Sequence, residues 1–250
     1  MFWAERIPKV AGVVLLVFAA LVVVSIALDL GTTDANPLAR GDTETMLRDI
    51  DDNRTMFVLV TVGNMATDAV ATLALAAVLY LLFRDRSQTL ALFAAFGLVA
   101  GGIGFVTTDA ATSTLAYLAA DFVDEGGPGG IGAGDPVILQ AARTVGTFSM
   151  LSALAAFTSV GFGIVAVGTL VAVAPEGATN PPRWLGALAI VSGLVAGGSW
   201  VATANFDVGM AILFIGMAGM IVFLVVLGGW LLFRGEPAEA PRASGVPQAR

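Results

Sequence analysis

The chain has no cysteine and no histidine, and its single lysine is Lys9. Without cysteine there is no disulfide, thiolate nucleophile or thiolate metal site. Without histidine there is no imidazole base and no ordinary ligand set for zinc, copper or haem. A Ser–His dyad is excluded with it, and a retinal protein would need a lysine in a late span. Charge is scarce as well. Charged residues make up 12% of 250 positions and apolar ones 57%, where a soluble domain carries about 25% and 45–50%. Too little polar surface remains for a water-soluble globule, and disorder is excluded. These absences imply an integral membrane protein with no enzymatic activity, no catalytic residues, no cofactor and no metal.

Six stretches are long and apolar enough for a bilayer core of about 30 Å, which takes roughly 20 helical residues. They are Val10–Leu30, Met56–Phe83, Thr89–Thr108, Thr147–Ala174, Trp184–Thr203 and Val208–Phe233. None alternates polar with apolar as a barrel strand would. The predicted fold is all-α, a polytopic bundle of six transmembrane spans occupying residues 1–235, with residues 236–250 a disordered cytoplasmic tail. Val10–Leu30 follows Arg6 and Lys9 in the order of a signal peptide, yet its 21 residues exceed the usual 7–15-residue apolar region, so it is read as a span.

Basic residues set the direction of insertion. With a cytoplasmic N-terminus the inner segments hold Arg6, Lys9, Arg84, Arg86, Arg183, Arg234, Arg242 and Arg250. The outer ones hold Arg40, Arg48, Arg54 and Arg143. Acidic residues gather outside, seven from Asp29 to Asp52 and five from Asp109 to Asp135, with Asp207 besides. The reading is a multi-pass plasma-membrane protein with both termini cytoplasmic. Eleven arginines to one lysine, with an acidic pI near 4.4, fit a GC-rich prokaryote.

Between spans one and two, Met46, Leu47 and Ile50 predict a short interfacial helical face. Asp51, Asp52 and Asn53 are candidate N-caps for the next helix, and Asn53-Arg54-Thr55 also matches a glycosylation pattern. Beyond Thr108, Leu115, Leu118 and Phe122 recur at helical spacing as far as Asp124, and Asp135-Pro136 opens another helix. Helices three and four are therefore predicted to extend on the outer side and to meet at the Gly-rich run Gly126–Gly134. That run has neither the GK[ST] ending nor the preceding strand of a phosphate loop.

One ionisable residue lies deep in a span. Asp68 shares a helix face with Thr61, Asn64 and Thr72, spaced three, four and four residues apart. Together they form a candidate intramembrane polar site, since buried charge in a membrane is costly and often functional. The same four residues also suit a buried carboxyl bonded to neighbouring helices. No second deep charge accompanies Asp68, and the packing reading is preferred on that ground. Asp109, Arg143 and Asp207 are read as an outer-rim ion-pair group that orients helices, with Asn205 beside them. Gly97 with Gly101, and Gly193 with Gly197, form GxxxG pairs for close helix approach, within the chain rather than in a dimer. Met210, Met217 and Met220 share a face of span six and are read as packing.

The order of these features resembles the six-span prokaryotic membrane family known as domain of unknown function four-three-eight-six. Resembling segments are Arg6…Lys9-Val10-Ala11-Gly12-Val13, Ala76-Ala77-Val78-Leu79-Tyr80-Leu81-Leu82, Pro182-Arg183-Trp184-Leu185-Gly186 and Trp230-Leu231-Leu232-Phe233-Arg234-Gly235. Where that pattern would place an Arg and a Glu in span three, this chain has Gly97 and Ala100. An apolar run stands where it would place a Glu in span six. The resemblance implies a fold and no established activity. Two functions follow from the residues. The first is a structural or regulatory membrane component, its partners the lipid bilayer and other membrane helices or a second copy, with no nucleic acid. The alternative is a secondary transporter or proton-coupled permease that uses the polar face of span two.

Overall fold

The computed structural model describes residues 7–31, 42–124, 136–174 and 180–233. The Gly-rich run, Asp135 and the tail from residue 234 onward lie outside them. Seven α-helices follow in order: α1 Ile7–Gly31, α2 Thr43–Asp52, α3 Arg54–Phe83, α4 Gln88–Asp124, α5 Pro136–Ala172, α6 Arg183–Gly197 and α7 Phe206–Phe233. A 3₁₀ segment, Gly198–Thr203, joins α6 to α7. No strand occurs among the described residues. Six of the helices, all but α2, are long and apolar enough to cross a membrane, and the chain is a multi-pass membrane protein.

The spans close into a ring. Each of α3, α4, α5, α6 and α7 packs on the next, and α1 fills the gap by touching both α7 and α3. The core is mainly aliphatic, built on Leu15, Leu79, Leu98, Val167 and Leu185, with Phe83 and Phe223 among them. Large apolar side chains such as Val70, Phe96, Phe162 and Phe233 stand exposed on the outside, a surface that suits lipid and would be a liability in water. Glycine carries the closest approaches. A methyl group added at Gly97 would stand 2.7 Å from the Ser159 carbonyl oxygen, and one at Gly193 would meet the backbone of Gly161. The Gly97–Gly101 pair is thus used within the chain, α4 against α5, whereas of the second pair Gly193 brings α6 onto α5 and a methyl at Gly197 would meet nothing within 4 Å.

As the spacing predicts, α4 and α5 run on past the bilayer as unbroken helices of 37 residues each. Between them and α2 lies a second, separate core of Met46, Leu47, Ile50, Leu115, Phe122 and Ala142. The apolar face of α2 therefore packs on protein and not in the lipid interface, because the extended helices offer it a dry surface. Arg48 lies over the Phe122 ring, 5.5 Å from its centroid, and Arg54 stands 6.0 Å from that of Tyr117. Two of the arginines on the acidic side are occupied in fastening this cap.

Two local expectations differ from the structure. Asn53 precedes α3 but makes no side-chain cap bond there; its amide donates to the Asp49 carbonyl and closes α2 instead. The two helices leave it no room to serve both. The fifth span is not α-helical to Thr203. It tightens at Gly198, after a Gly-Gly pair that weakens the α-helix. There the Trp200 indole donates to Thr158 Oγ1 at 2.6 Å, and Thr158 Oγ1 approaches the Gly197 carbonyl at 3.4 Å.

Candidate functional site

The polar face of α3 meets a cavity inside the ring. Asn64, Asp68 and Thr72 line a space of about 250 Å³ that α1, α4, α5 and α7 complete. Thr61, one turn further out, is buried and donates to the Phe57 carbonyl at 2.8 Å, so three of the four predicted residues face the cavity and the fourth satisfies its own helix. Helix α3 is held in register by Thr72, which packs on Gly102 of α4; an added methyl there would stand 2.9 Å from Thr72 Cβ. With any side chain at 102 the two helices would separate and the cavity wall would open.

Asp109 lies in the same cavity, with Thr108 beside it. Helices α3 and α4 run antiparallel. From the Thr72–Gly102 contact, Asp68 is four residues outward on one and Asp109 seven outward on the other. The two carboxyl groups thus differ in height by about three residues, or ~4.5 Å. Asp68 itself stands fifteen residues from Phe83, about 22 Å into a core of about 30 Å. The lining includes no arginine or lysine among the described residues.

The cavity is polar at one end and apolar at the other. Ser25, Asn64, Asp68, Thr108 and Asp109 gather toward the α2 side. Toward the arginine-bearing side its walls are Phe18, Leu75, Leu98, Ile164 and Leu224, with Met217 and Met220 of α7. Between them Phe105 and Phe157 form an edge-to-face pair with centroids 4.8 Å apart. The methionine face read as packing is therefore in part cavity wall.

The structure divides the three residues read as a rim group. Arg143 Nε donates to Thr43 Oγ1 at 3.2 Å at the start of α2. Ser149 of α5 bonds Thr112 of α4 at 2.8 Å, and Arg143 lies six residues beyond it, about 9 Å further from the membrane. Asp207 is exposed in the first turn of α7. Asn205 caps that helix, its Oδ1 accepting from the Val208 amide at 3.1 Å. The sequence places Asp109 at the rim and not in the cavity because the apolar run ends at Thr108, one residue short of it. The signal was there in Phe105, Thr108 and Asp109 at i, i+3 and i+4, one stripe of a helix.

At the opposite end, Arg86 bolts the α3–α4 connection to α5. It donates to the Leu170 carbonyl at 3.3 Å and to Asn180 Oδ1, and lies 5.4 Å from the centre of the Phe83 ring. Burial pulls the pKa of its guanidinium below the ordinary arginine value.

The family described as a domain of unknown function, DUF4386, matches residues 10–235. The chain belongs to the DUF4386 family. The match takes in all six spans and every residue of the cavity. No curated protein and no solved structure matches this DUF4386 chain.

Proposed function

We propose that this DUF4386 protein is a membrane-embedded binding protein of the secondary-transporter kind, without enzymatic activity, in which Asp68 carries a proton or cation. One observation bears the reading: the Asn64–Asp68–Thr72 face borders an open chamber shared by five helices, where tight packing would have closed it. A carboxyl group in apolar surroundings requires a proton, a cation or dense hydrogen bonding, and Asp109 places a second one at nearly the same height.

A structural or regulatory role through partner helices has less support. The small-residue faces it would use, Gly97 with Gly101 and Gly161 with Gly193, are occupied within the ring. Plasma-membrane placement with cytoplasmic termini rests on eight basic residues in the segments of the N-terminal side against four, Arg40, Arg48, Arg54 and Arg143, in those of the other.

The test is dissipation of an imposed pH gradient in proteoliposomes, followed with an internal pH-sensitive dye. The wild-type chain is expected to accelerate it and Asp68→Asn to return it to the rate of protein-free vesicles. Equal rates for the two proteins would remove Asp68 from the mechanism.

A further inference from the structure

A second hollow lies on the outside of the ring, along the seam of α1 and α3. It measures about 460 Å³ and is walled by Val13, Val17 and Leu21 on one side and by Val70, Ala71 and Ala74 on the other. Val70 is 70% exposed, so this groove opens on the lipid-facing surface. One residue belongs to both spaces. Phe18 lines the outer groove and the inner cavity alike, so its side chain stands at the boundary between them. The α1–α3 contact is also the least extensive seam of the ring, and the α3 side of the groove is built largely of alanine, which gives Phe18 space to swing.

We infer that the cavity is loaded sideways from the bilayer, with Phe18 as the movable partition, and that its ligand is a small single-tailed cationic amphiphile. The inference rests on the reading of the cavity as a binding site. Its polar end offers two carboxyl groups and, among the described residues, no basic side chain, and Phe105 and Phe157 beside it add aromatic faces that attract an ammonium. The apolar end, reached through Leu75, Leu98 and Leu224, takes a hydrocarbon tail. An anionic head would face like charge in a medium that screens poorly. The volume, about 250 Å³, falls under the roughly 300–1,000 Å³ of drug-sized pockets and excludes a two-chained lipid. Such a ligand concentrates in the bilayer with its head at the interface and its tail inward. That is the orientation in which the cavity would receive it.

Radiolabelled decylamine is the probe, with the full chain in liposomes and protein-free vesicles subtracted. Saturable binding is expected, weakened about tenfold by Asp68→Asn, with sodium decyl sulfate failing to compete. Val70→Trp fills the groove from the lipid side without touching the carboxyl groups. It is expected to slow both association and dissociation about tenfold while leaving Kd within about twofold. Phe18→Ala is expected to speed both, so the two variants move the rate in opposite directions and a folding defect in one does not decide the matter. Unchanged rates in both variants, or competition by water-borne tetramethylammonium as strong as that of decylamine, would overturn lateral loading. Equal competition by decyl sulfate would overturn the cationic ligand. Gradient dissipation that depends on Asp68 in a chain that does not bind decylamine would sink this inference and leave the transport reading standing; the reverse pattern would do the opposite.

Discussion

Asp42 shows how much one side chain can hold in the cap. Its carboxylate accepts from the amides of Glu44 and Thr45 at 3.1 and 3.4 Å and from Thr45 Oγ1 at 2.6 Å, closing the first turn of α2. The Thr45 hydroxyl bond is the main reason its pKa falls below the ordinary 3.8. A lowered folded pKa means that the ionised form favours the folded cap. This contribution is fully present above pH 3.8 and is lost as pH falls through the lower folded value. Protection of the α2 amides, taken relative to intrinsic exchange at each pH, is therefore expected to fall on acidification below that point. In Asp42→Asn this extra acid step should be missing; if it persists, another carboxylate governs the cap. Glycine gives a sharper contrast. Gly97→Ala forces a methyl against backbone at 2.7 Å and is expected to cost about 1–3 kcal/mol in micellar unfolding. Gly63→Ala meets nothing within 4 Å and should be neutral or stabilising by up to about 1 kcal/mol.

At the scale of elements, the connection between α3 and α4 depends on Arg86. Losing its bonds to Leu170 and Asn180 in Arg86→Ala is expected to lower stability by about 1–2 kcal/mol, read as an earlier midpoint in detergent unfolding. Arg86→Lys keeps the charge but not the fork, and should recover only part of it. Six of the seven helices were legible from apolar run length alone, because a bilayer demands about 20 residues from each. The extension of α4 was legible in Leu115, Leu118 and Phe122, whose spacing continues the helix beyond its apolar stretch. What α2 packs against was not. Met46, Leu47 and Ile50 announce an apolar face, but a lipid interface and a protein groove ask for the same pattern. The cavity was half legible. Asp68 and Asn64 stood out as polar residues in a span, whereas Asp109 gained its place only through a helix register that lies in three dimensions.

At the scale of the whole molecule, the proposed orientation follows from where the basic residues lie along the chain. A chain without native cysteine makes this accessible to single-site labelling. Asp85, whose side chain is 92% exposed beside Arg84, and Asp52 at the end of α2 lie at opposite ends of the bundle. Impermeant maleimide applied to intact cells is expected to label Asp52→Cys and spare Asp85→Cys. The opposite result would invert the topology, and with it the side on which the polar end of the cavity stands.

The closed ring also imposes an order in time. Helix α1 completes it by packing on α7, with Gly12 so near Gly228 that an added methyl would stand 2.8 Å from its carbonyl oxygen. A ribosome adds about 5–20 residues per second. Some 175 residues separate the end of α1 from the start of α7, so α1 enters the bilayer roughly 10–35 s before its partner exists. For that interval α1 has only α3 of its two neighbours to pack on. The α1–α7 seam is thus settled last during biogenesis, and until it forms the cavity has no closed wall.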